Sequence, residues 1–93
     1  MARVIYKTLI PYVGQKVLIK VSENYFRFLH VGEQNQRPCV WYETVSEDNM
    51  CKDYYEIIVV GTGHPIPDEF QTYLGTSQMN DLGLVWHLYG RWI

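Results

Sequence analysis

No stretch of this chain places apolar residues at helical spacing over ten residues or more, and that constrains its fold most. Short runs rich in β-branched and aromatic residues recur instead, separated by turn signals about every ten residues. Residues 3–10 are the first such run, and Pro11 ends it. Residues 15–21 alternate: Val17, Ile19 and Val21 face one way, while Lys16 and Lys20 flank Leu18 on the other. That is the period of a half-buried strand. Ser22, Glu23 and Asn24 signal a turn. Residues 25–31 and 39–45 read as a hairpin across the polar turn 32–36, with Pro38 at the entry to its second strand. The polar stretch 46–53 reads as a loop. Residues 54–60 hold Ile57-Ile58-Val59-Val60, a run continuous enough to imply burial on both faces. Gly61 to Pro67 break the pattern, and residues 68–71 offer a single helical turn. Strands are expected again at 73–79 and 84–89, around a turn at 80–83.

The pattern predicts an all-β chain forming one globular domain over residues 1–93. The expected architecture is a small antiparallel β-sandwich or partly open barrel of about seven strands. At most one short helix is expected, near residues 68–73. Val17, Ile19, Trp41, Ile57, Val59 and Trp86 are the expected core. A chain of 93 residues buries only about 60–65% of its unfolded surface, so large aromatic side chains must fill much of a thin core.

Eight Lys and Arg against ten Asp and Glu leave a net charge of −2. Non-specific nucleic-acid binding needs many cations to displace counterions from phosphates, so nucleic acid is not an expected partner. No apolar run approaches the roughly eighteen residues of a membrane-spanning helix, and no membrane partner is expected. The opening Met1-Ala2-Arg3-Val4 leads into Lys7 without the apolar core of a secretory signal. A cytoplasmic protein with free thiols at Cys39 and Cys51 is therefore expected. Cys39 lies in an apolar strand as a small core residue, and Cys51 lies in the polar stretch, where exposure is expected.

Catalytic constellations are hard to find. Gly61-Thr62-Gly63-His64 follows a strand, as a phosphate-binding loop would. It lacks the later glycines, the Lys-Ser/Thr ending and the following helix, so backbone geometry is the plainer reading. His30, His64 and His87 show no metal-ligand spacing, so neither metal nor cofactor is expected. Glu43, Glu47, Asp48, Glu56, Asp68 and Glu69 sit mostly among polar neighbours, and no nucleophile–base set is legible. The chain reads as a non-enzyme.

Eight tyrosines and three tryptophans exceed what one inner face of seven short strands can bury. Such residues either ring a core edge with polar tips in water or anchor an interface. Tyr54, Tyr55 and Trp92 are the expected partner-binding residues. The alternative is a small-nucleotide site, with aromatic faces from Tyr54 and Tyr55. Its phosphate donors would come from Arg37, Gly61, Thr62, Gly63, His64 and Arg91.

Four segments are similar to those of a family of short uncharacterised bacteriophage proteins, a domain of unknown function. They are residues 31–41 (VGEQNQRPCVW), 60–66 (VGTGHPI), 73–78 (YLGTSQ) and 84–89 (LVWHLY). The resemblance runs over residues 3–89. Two departures stand out: Gln36 occupies the place after Asn35 where the family usually has Gly, and residues 90–93 run past its usual end. The resemblance implies a phage-encoded protein in the host bacterial cytoplasm and carries over no catalytic residue. It favours binding to a host protein, such as a defence or toxin component that is inhibited by this chain or senses it. A homodimer would use the same kind of surface. Sequestration of a small nucleotide signal is the alternative it leaves open.

Overall fold

A computed structural model describes residues 2–10, 14–46, 50–79 and 83–93. Pro11, Tyr12, Glu47, Asp48 and residues 80–82 of the expected turn at 80–83 lie outside the described residues. Seven strands are present: β1 (Arg3–Leu9), β2 (Lys16–Val21), β3 (Arg27–Gln34), β4 (Arg37–Val45), β5 (Asp53–Gly61), β6 (Thr72–Met79) and β7 (Leu84–Trp92). They form two antiparallel sheets, in the orders β1-β4-β3 and β2-β5-β7-β6. The all-β expectation holds, and the sheets stack as an open sandwich rather than closing into a barrel.

Strand alternation decides what enters the core. Val40 and Tyr42 of β4, Ile19 and Val21 of β2, Tyr55, Ile57 and Val59 of β5, and Leu88 of β7 are buried together with Ile10. Val17 and Trp86 are half-buried and packed against them. Trp41 departs from expectation. Its neighbour Tyr42 takes the inward position, so Trp41 points outward beside His30, with ring centroids 5.4 Å apart. Cys39 is buried as expected. Cys51 is also buried, contrary to expectation, with its thiol donating to the Val45 carbonyl at 3.4 Å.

Where the sheets meet, β3 packs against β6. A Cβ at Gly75 would lie 2.8 Å from the Val31 side chain. Inside the four-stranded sheet, the Tyr55 ring lies across Gly90, where a Cβ would come within 2.2 Å of ring atom Cε1. Tyr55 there hydrogen-bonds Thr72.

Three connections differ from the expected ones. No helix forms at 68–73: the Phe70 N–H donates to the Pro67 carbonyl at 3.0 Å in a turn, and β6 begins at Thr72. Proline at positions 65 and 67 holds this segment extended, and Phe70 is drawn into a buried position on the sheet. A 3-10 turn forms at Glu23–Tyr25. The Asp53 carboxylate accepts the Glu23 N–H at 2.9 Å, so Tyr25 leaves the expected third strand. The hairpin turn shrinks to Asn35-Gln36, between paired Gln34 and Arg37. Both turn residues have positive φ, 54° and 62°, which defines a type I′ turn.

Candidate functional site

The outer face of the four-stranded sheet collects most of the chemistry. Because Ile19, Ile57 and Leu88 point inward, the residues between them point outward. Lys16, Leu18 and Lys20 of β2 thus share a face with Tyr54, Glu56, Ile58 and Val60 of β5, and with His87, Tyr89 and Arg91 of β7. Phe70 folds over part of this face. Lys16 Nζ lies 5.6 Å and Arg91 Cζ 5.3 Å from its ring centroid. Ile58 and Val60 are buried, which accounts for the continuous apolar run of β5.

Beyond Phe70 three large apolar side chains stand exposed among the charged ones. Leu18 is 55% exposed, Tyr54 44% and Ile93 63%. The Ile93 N–H donates to the Tyr54 carbonyl at 3.0 Å, setting those two residues side by side. Tyr54 is paired in turn with Lys20, and Leu18 with Glu56. β2 is an edge strand, with β5 as its one ladder partner in the sheet.

The three expected partner-binding residues do not share this face. Tyr54 lies on it. Trp92, 42% exposed, points to the opposite side. Its ring packs edge-on against Tyr55 at 5.0 Å and Phe26 at 5.5 Å. Tyr55 is 4% exposed and belongs to the core, so it cannot act as an exposed anchor. Burial pushes its phenol above the ordinary range, partly offset by the hydrogen bond with Thr72. The alternation of Tyr55 with Ile57 and Val59 carried that signal in the sequence. The sequence does not mark Leu18 and Ile93 as binding residues, because their exposure depends on which strands flank them.

A second cluster lies further along the same sheet. The His64 N–H donates to the Gly61 carbonyl at 3.1 Å, closing a four-residue turn. Its third residue, Gly63, has φ 87°, which demands glycine in a type II turn. Thr62 Oγ1 lies 2.9 Å from His87 Nε2, and Thr76 Oγ1 lies 3.1 Å from His87 Nδ1. The Tyr73 hydroxyl hydrogen-bonds Thr76 in turn. Val60, Gly61, Thr62, Gly63, His64, Ile66, His87 and Tyr89 line a cleft of about 220 Å³ beside this relay. A neighbouring cleft of about 470 Å³ shares Gly61, Thr62 and His64 and extends to Leu84 and Trp86.

The alternative site residues are thus only partly gathered. Gly61, Thr62, Gly63 and His64 come together. Arg37 lies at the β3–β4 turn, outside either cleft lining. Arg91 also lies outside, with its Nε–H donating to Glu56 at 2.9 Å. His87, Thr76 and Tyr73 were not foreseen as site residues, because only the β5–β7 and β6–β7 registers bring them to Thr62. Among the described residues, no group of three His, Cys, Asp or Glu side chains could hold a metal ion.

A family model described as Domain of unknown function (DUF7352) matches residues 1–93. The chain belongs to this family. No curated protein matches the chain, and no solved structure matches it. This DUF7352 chain therefore offers two features on one sheet: three exposed apolar side chains beside an edge strand, and a hydroxyl–imidazole relay beside a cleft. Among its described residues, no helix is long and apolar enough to cross a membrane.

Proposed function

We propose that this protein is a non-enzymatic binding module that docks onto another protein through the outer face of its four-stranded sheet. The observation that carries the reading is the exposed trio Leu18, Tyr54 and Ile93 beside the edge strand β2. Tyr is favoured at interface hot spots, and an edge strand offers unpaired backbone groups to a partner. No cofactor, nucleic acid or membrane is needed for this mode. The likeness of its segments to short phage proteins supports a finer reading. The chain would be phage-encoded, act in the host cytoplasm, and meet a host defence or toxin component that it inhibits or that senses it.

Affinity capture from bacterial lysate, with light scattering on the purified protein, tests the reading. One protein retained by the wild type and lost with Leu18→Asp or Tyr54→Ala supports it. An unchanged capture profile in both variants contradicts it. Self-association lost in the same variants would identify a homodimer instead.

A specific observation also favours a second reading, sequestration of a small nucleotide. The Gly61–Gly63 turn and the imidazoles of His64 and His87 border one cleft. The distance of Arg37 and Arg91 from that cleft and the burial of Tyr55 weigh against it. Calorimetric titration with cyclic and linear nucleotides decides: heat with one of them supports this reading, and silence across the panel removes it.

A further inference from the structure

We propose that the cleft at Thr62, His64 and His87 is a proton-gated site for a tetrahedral oxyanion, a sulfate or phosphoryl group. The inference is independent of the docking surface and rests on the hydrogen-bond relay. Both ring nitrogens of His87 face hydroxyl oxygens, Nε2 facing Thr62 and Nδ1 facing Thr76. A neutral imidazole has one N–H and one lone pair, so one of these hydroxyls must donate inward to the ring. A protonated imidazole donates from both nitrogens. Both threonine oxygens then accept, and both hydroxyl protons turn away from the ring. Thr62 is then held with its proton available to the cleft, and Thr76 with its proton available to Tyr73, whichever of the two donated to the neutral ring.

One proton on His87 thus changes the cleft wall in two ways: it adds a positive charge and commits Thr62 as a donor. An oxyanion, which only accepts hydrogen bonds, is the ligand that gains from both changes. The turn adds to the fit. Thr62 and Gly63 are its central residues, and His64 also lines the cleft. Val60 of β5, Ile66 and the Tyr89 ring complete a lining that holds no carboxylate to repel an anion. It holds no Lys or Arg either, so charge must come from the imidazoles. The other titratable groups of the lining are His64 from the turn and Tyr89 from β7, and Tyr73 of β6 reaches His87 through Thr76; β5 contributes Val60. Oxyanion occupancy should therefore be higher where the ring carries its second proton.

Inorganic sulfate is the discriminating probe, because its own charge is the same at both pH values used. Titration of the full chain, followed by backbone amide shifts at pH 5.5 and pH 8, should show binding at Thr62 and Gly63. Affinity should be about tenfold tighter at the lower pH. Thr62→Val should weaken binding at pH 5.5, and His87→Gln should remove most of the pH dependence, leaving only the share of His64. Circular dichroism confirms that each variant keeps the β fold. Unperturbed Thr62 and Gly63 amides at both pH values would overturn the proposal. So would pH dependence that survives His87→Gln and vanishes in His64→Gln. Parallel titrations with a nucleoside monophosphate and the bare nucleoside identify the source of the group. Binding of the monophosphate alone assigns the phosphoryl end. Equal binding of the bare nucleoside contradicts an oxyanion site.

Discussion

Gly90 and Tyr55 hold the inner face of the four-stranded sheet together as a pair. The ring fills the place where any larger residue at 90 would put its Cβ, which lets it cross to Thr72. Gly90→Ala should therefore cost about 1–3 kcal/mol, as overpacked cores do, measured as a lowered denaturant midpoint. The same burial bears on alkaline stability. Tyr42 and Tyr55 have phenols raised by burial, and Cys39 has a thiol raised the same way. These groups hold their protons longer in the folded chain than in the unfolded one. Their contribution is thus complete below the ordinary thiol and phenol ranges and is lost as pH climbs through the raised folded values. Stability should fall above roughly pH 9, with the thiol's share going first. Ultraviolet titration of tyrosine ionisation should show two phenols lagging the rest until the fold opens. If all the described tyrosines ionise together while the chain is folded, the burial account is wrong.

At the scale of elements, alternation and the apolar run of β5 made the strands legible, because both follow from local sequence alone. The connections were legible only in part. The 3-10 turn at Glu23–Tyr25 is held by the Asp53 carboxylate, a partner that no local pattern reveals. Phe70 sits in a segment without regular structure, so periodicity could not place it on the outer face. The β3–β4 turn is the clearest conflict between local preference and tertiary demand. A type I′ turn wants left-handed backbone at both central residues, and Asn35 tolerates this better than Gln36 does. Gln36→Gly should accordingly stabilise the chain by roughly 1 kcal/mol, read as a rise in thermal midpoint. A loss of stability on that substitution would contradict this account, because glycine keeps the backbone N–H that donates to the Glu33 carboxylate.

For the whole molecule, stacking two open sheets leaves Leu18, Tyr54 and Ile93 exposed on the outer face of the four-stranded sheet, beside the edge strand β2. The sequence pointed to surplus aromatics but not to where the surplus would go. Tyr55 joined the core, Trp92 closed the aromatic stack at the sandwich end, and Tyr54 alone of the three reached the outer face with Leu18 and Ile93. That sorting depends on strand order and register, which a single sequence does not display. Backbone hydrogen exchange of the protein bound to its captured partner tests docking through this face most directly. Slowed exchange is expected in residues 16–21 and 54–58, with residues 27–34 of β3 unchanged. Protection confined to β1 or β3, with β2 exchanging as in the free protein, would contradict it.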